Sequence, residues 1–125
     1  MTIKKILDQV RDNPEYSGFD DVEVNTPSLI GDTPIFSVII SGSLNDVQIL
    51  IEAGADINYQ GDELYTPLMQ AIEFEKFDIA KYLIECGCNT SLKNAIGMTA
   101  LDIALDSEIP KALEICKILK NNRTA

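Results

Sequence analysis

An all-α fold, a solenoid of about three helix-turn-helix repeats with an N-terminal capping helix, is predicted by three observations in the sequence. Threonines recur at Thr33, Thr66 and Thr99, two equal steps of 33 residues, and a fixed period of this length marks a stacked-repeat architecture. Each threonine precedes an apolar stretch, and Pro34 and Pro67 follow the first two. A threonine that accepts a backbone N–H, with proline at the first helical position, starts a helix. Later in each period Leu44, Val47, Leu50 and Ile51 recur as Phe77, Ala80, Leu83 and Ile84, ahead of Gly54 and Gly87. That spacing is one apolar helical face, ended by a residue that tolerates the left-handed C-cap conformation.

Taken in chain order, Thr2 to Asp12 places Ile3, Ile6, Leu7 and Val10 at helical spacing before Asn13-Pro14 stops the helix, which predicts a capping helix within residues 1–13. Residues 14–30, with Pro14, Gly18 and Pro27, form a long acidic connection, and long loops tend to be functional or mobile. Repeats follow at 31–60, 61–93 and 94–121. In the third, Thr99 lacks the proline, but Asp102 three residues on approximates a capping box. Its second helix fits as Leu113, Cys116 and Leu119, three residues late, so an insertion around Ser107 to Lys111 must lengthen the connection. Lys120 in the second leucine's slot suits a terminal repeat with a polar outer face.

These motifs resemble the ankyrin repeat over roughly residues 20–120, best from Gly31 to Asn58. Val22-Glu23-Val24-Asn25 already sits in the slots of the family's Ala-Asp-Val-Asn ending. The histidine of the family's Thr-Pro-Leu-His is replaced by Phe36, Met69 and Asp102, so its polar link at the helix start is expected to be lost or replaced. The resemblance implies two antiparallel helices plus a hairpin loop per repeat. It also implies a concave binding surface made by the hairpin tips and the exposed face of each first helix.

The chain has 125 residues, one domain's worth, and 46% hydrophobic composition, enough for a core. With no histidine, the usual general base at neutral pH and the commonest metal ligand are missing, so an enzyme is not expected. No nucleophile has a plausible base and no glycine loop cradles phosphate, so no cofactor is expected either. The apolar runs fall far short of the roughly 20 residues that span a bilayer, and the N-terminus lacks the pattern of a signal peptide. Three cysteines, an odd number, fit reduced thiols and a cytoplasmic setting. A start Met and caps at both ends read as a whole small protein, monomeric when free.

Charge is concentrated. Residues 12–75 hold thirteen acids and no base, a sum of −13, within a chain of net charge −10. A polyanion such as nucleic acid is a poor partner for that surface. It serves either solubility alone or attraction of a basic protein.

Cys86 and Cys88, with Cys116, could bind metal or cycle redox states, but too few ligands close a zinc site, and packing as small hydrophobes is the favoured role. Asp20-Asp21-Val22-Glu23 lacks the ordered ligands of a calcium loop. Asn89-Thr90-Ser91 and Asn122-Arg123-Thr124 match the glycosylation pattern, without a leader to deliver them.

What remains is surface. The slots that the resemblance assigns to the concave face include Leu29, Ile30 and Asp32, then Asp62, Glu63 and Tyr65, then Ala95, Ile96 and Met98 at successive tips. On the first helices they are Ile40 and Ser41, Glu73 and Phe74, and Asp106 and Ser107. Asp32, Asp62, Glu63, Tyr65, Glu73, Phe74 and Asp106 are the predicted partner-binding residues, with Tyr65 and Phe74 as aromatic anchors amid acids. Alternatively Phe74 turns inward and Tyr65 only staples its loop. The expected function is a non-enzymatic interaction module that blocks a basic protein. The most specific version resembles ankyrin-type immunity proteins that neutralise bacterial toxins, including nucleases. An adaptor or regulatory inhibitor of a cellular enzyme is the alternative, and a metal- or redox-responsive protein a third reading.

Overall fold

The computed structural model describes residues 2–121; Met1 and the Asn122-Arg123-Thr124 pattern lie outside the described residues. Seven α-helices, and no strand, occur among the described residues: α1 (Ile3–Arg11), α2 (Pro34–Ser41), α3 (Leu44–Glu52), α4 (Pro67–Glu73), α5 (Phe77–Glu85), α6 (Ala100–Asp106) and α7 (Ala112–Asn121). They pack as three hairpins, α2 on α3, α4 on α5 and α6 on α7. The first helices of the hairpins touch in the order α2, α4, α6, the second helices in the order α3, α5, α7, and α1 covers both α2 and α3. None of these helices is long and apolar enough to cross a membrane.

The core runs between the two helix layers. Ile35, Phe36 and Ile39 of α2, Leu68, Met69 and Ile72 of α4, and Ile103 of α6 are buried against Val47 and Leu50, Ile79 and Leu83, and Ile115 and Leu119 of the second helices. Of the predicted stripe, Val47, Leu50, Ala80, Leu83 and Ile84 are buried, while Leu44, Ile51 and Phe77 are partly buried. Gly54 and Gly87 follow the ends of α3 and α5 at positive φ. There the Ala55 N–H donates to Leu50 O at 3.0 Å and the Cys88 N–H to Leu83 O at 3.3 Å, the long closing bond of a glycine-terminated helix.

Two expectations need correction, the Thr33 cap and the buried face of α7. Thr66 accepts the Met69 N–H at 3.2 Å and Thr99 forms a complete capping box with Asp102, but Thr33 caps nothing. The Thr33 hydroxyl is buried without a partner among the described residues. Where the family places histidine, Phe36 and Met69 pack into the core, and a bond from Gln70 Nε2 to Phe36 O, 3.3 Å, ties α4 to α2. On α7, Leu113 is 63% exposed, and the buried set is Ala112, Ile115, Cys116 and Leu119. The five-residue connection 107–111 shifts the register, and these positions make a fuller helical stripe than Leu113, Cys116 and Leu119.

The connecting residues 14–30 fold onto the core. A single 3-10 turn, Pro14–Tyr16, buries Tyr16, whose hydroxyl donates to Thr26 O at 2.8 Å and lies 3.1 Å from Asp32 O. Phe19 meets the Tyr16 ring edge-on at 5.3 Å, and Val22 is also buried.

Candidate functional site

The hairpin tips repeat with the same 33-residue step as the helices. The N–H groups of Ser28, Gly61 and Asn94 donate to the carbonyls of Asp32, Tyr65 and Met98 at 2.8, 2.9 and 2.9 Å. Further bonds join the tips to their neighbours: Leu29 N–H of the first tip to Glu15 O of the 3-10 turn, and Ala95 N–H of the third tip to Glu63 O of the second, at 2.8 and 2.9 Å. Between the first and second tips the link is a side chain, since Asp32 Oδ1 accepts the Asp62 N–H at 2.8 Å. Gly61 permits that approach, because a Cβ there would come within 2.2 Å of Asp32 Oδ1. At the opposite edge, Asn25 and Asn58 use their Oδ1 atoms alike, accepting the N–H groups of Asp56 and Asn89 at 2.9 and 2.7 Å. The asparagine of the repeat ending is thus a strut between neighbouring repeats.

An open groove of about 340 Å³ lies beside α4 between the first two tips. The structure brings Asp32, Asp62, Glu63, Tyr65, Glu73 and Phe74 together along it, with Gln70, and no lysine or arginine lines it. Asp106 does not line this groove. It is exposed at the end of α6, in the slot one period after Glu73, and so belongs one repeat farther along the stack. Phe74 has not turned inward: it ends α4 with 46% of its surface exposed. Tyr65 is half-buried and packs on the core, so it both staples the tip and presents an edge to the groove.

The electrostatics follow from that crowding. Burial, then the Glu73 carboxylate and its hydrogen bond, then Glu63, hold the Tyr65 phenol above the ordinary tyrosine value. Burial also pushes the Asp32 carboxyl up, opposed by the Asp62 N–H bond and reinforced by the Asp62 charge. Asp32 therefore has a structural duty as well as a place on the groove. Glu63 sits at φ 56° and Leu64 at φ 58° at the second tip, backbone that non-glycine residues seldom adopt. Leu64, half-exposed there, was not among the predicted residues, although its slot is glycine in the neighbouring repeats, Gly31 and Gly97.

The thiols are scattered in environment. Cys88 and Cys116 are buried and Cys86 is exposed. Burial, then Cys86, pushes the Cys88 thiol up to about 11. No group of three thiol or carboxylate residues placed to hold a metal ion exists among the described residues.

The fold defines a class, a helical-repeat scaffold. The family model described as ankyrin repeats (3 copies) matches residues 4–94 and 60–125, and the chain belongs to the ankyrin-repeat family. It is 36% identical over 90 residues to "Putative ankyrin repeat protein R664" of Acanthamoeba polyphaga mimivirus, covering 70% of this chain and 56% of that protein. It is 32% identical over 116 residues to "Ankyrin repeat and SAM domain-containing protein 6" of Rattus norvegicus, covering 87% and 13%. Against "Protein phosphatase 1 regulatory subunit 12A" of Mus musculus the identity is 32% over 84 residues, covering 67% and 8%. The chain therefore spans about half the length of the first of these relatives and a small part of the others. Ankyrin repeats bind protein partners, so this chain is a protein–protein interaction module.

Proposed function

We propose that the chain is a non-enzymatic inhibitor that engages a basic protein through the acidic groove beside α4. The observation that carries this reading is the lining of the groove: four carboxylates, a half-exposed phenylalanine and a tyrosine edge, with no basic side chain. An exposed aromatic among charges of one sign, desolvated when a partner covers it, is the makeup of an interface anchor, and the surrounding charge steers encounter with a partner of opposite sign. The net charge of −10 extends that field over the whole molecule. A toxin whose own site is built for nucleic-acid phosphates is the partner that such a surface would block best, which is the immunity reading. The cell compartment in this proposal is the cytoplasm and the free protein is a monomer.

The adaptor reading draws on a different observation, the words "regulatory subunit" in the name of one relative. Both are tested by capturing partners from the native cell on the protein and on a variant with Asp62→Lys and Glu63→Lys. A basic toxin held by the parent and released by the variant supports the immunity reading. A cellular enzyme held through the same residues supports the adaptor. A partner captured equally by both proteins contradicts the groove as the contact surface.

A further inference from the structure

The groove beside α4 holds a feature that a merely acidic surface does not need. Gln70 is nine-tenths buried yet lines the groove. Its Nε2 is turned inward to Phe36 O, which leaves Oε1 as the amide atom on the groove side, with no hydrogen bond to it among the described residues. Phe74 stands half-exposed at the same groove, and the carboxylates of Glu63 and Glu73 flank Tyr65. Asp32 Oδ1 already accepts the Asp62 N–H, as Glu73 accepts the Tyr65 hydroxyl, and each carboxylate keeps a second oxygen.

These acceptors line an open groove, and no three of its carboxylates gather to hold a metal ion among the described residues. A compact cation needs oxygens gathered within one coordination shell. A guanidinium needs the reverse: a ring face to stack on and acceptors spread around its plane for five N–H donors. We infer that the groove receives an arginine side chain of the partner, stacked on Phe74 and donating to Gln70 Oε1 and to the carboxylates of Glu63 and Glu73. The inference rests on the basic-partner reading above and narrows it to arginine. Lysine would feel the same charge but offers neither the flat face nor the spread of donors.

The test is an NMR titration of the labelled protein, at low salt, with two blocked nonapeptides of alternating glycine and either four arginines or four lysines. The arginine peptide should bind about fivefold tighter, with the largest shifts at the Gln70 side-chain amide, Glu73 and Phe74. Phe74→Ala and Glu73→Gln should each bring the two peptides within about twofold of one another. The pair Glu52→Gln and Glu85→Gln, away from the groove, should weaken both peptides and keep the preference. Equal binding of the two peptides by the parent, or a preference that survives Phe74→Ala, overturns the arginine assignment. So does calcium chloride, added alone, if it moves the Gln70 amide. The broader reading fails by a separate result, capture of the native partner unaffected by reversal of Asp62 and Glu63.

Discussion

The hydroxyl of Thr66 accepts the Met69 N–H at 3.2 Å, whereas that of Thr33, one period earlier, is buried with no partner among the described residues. Identical residues in identical slots therefore carry different energies. Thr66→Val should cost about 1 kcal/mol through loss of the cap, while Thr33→Val removes a buried hydroxyl with no bond to lose and should be neutral or stabilising. Denaturant unfolding of both variants measures this, and equal costs would contradict the difference between the two slots. Leu64 offers a second comparison. Gly31 and Gly97, one period to either side, sit at φ 92° and 83°, and Leu64 takes φ 58° without glycine's freedom. Leu64→Gly should stabilise the protein by about 1 kcal/mol, because a left-handed backbone strains any residue with a Cβ. A loss of stability would mean that its half-exposed side chain packs for more than the strain costs.

Among the elements, α3 and α5 hold the stack through Leu50 and Leu83, both fully buried. Leu83→Ala should cost about 2 to 5 kcal/mol by leaving a cavity between the helix layers, and unchanged stability would show that the layer packing is misassigned. The start of α6 is sensitive to acid. Bonds from the Thr99 N–H and hydroxyl hold the Asp102 carboxyl below its ordinary value of 3.8. A depressed carboxyl stabilises the fold fully above that ordinary value and loses the contribution as pH falls through its lower folded value. Asp102→Ala should thus melt below the parent at neutral pH, and the two melting curves should converge in acid. A gap independent of pH would contradict the capping box.

The same elements show what could be read from the sequence. The periodic threonines, the second-helix stripe and the glycine C-caps are local signals, and each lies where the 33-residue step puts it. The connection after α6 breaks that step, so periodicity points to Leu113 where Ala112 and Ile115 are the buried residues. Tyr16 could not be found from periodicity, because it is held by single bonds to Thr26 and Asp32 and not by a helical face. For the groove, the repeat slots located Asp32, Asp62, Glu63, Tyr65, Glu73 and Phe74, whereas Gln70 and the bond from the Asp62 N–H to Asp32 depend on contacts between repeats that one period alone does not reveal.

Across the whole molecule, the acidic surplus lies in residues 12–75, the stretch that contributes the groove, while the remainder of the chain is nearly balanced. Long-range attraction from that surface governs encounter and is screened beyond about 8 Å at physiological ionic strength. Contact with the aromatic side chains governs how long a complex lasts. The most direct measurement of the central claim is therefore the association rate with the captured partner over a range of salt, for the parent and two charge-reversed variants. Asp62→Lys with Glu63→Lys should slow association and flatten its salt dependence. Glu52→Lys with Glu85→Lys, at the ends of α3 and α5 and off the groove, changes the net charge equally and should slow it much less. If both pairs slow association to the same degree, the acidic surplus acts only through overall charge and the groove is not the binding surface.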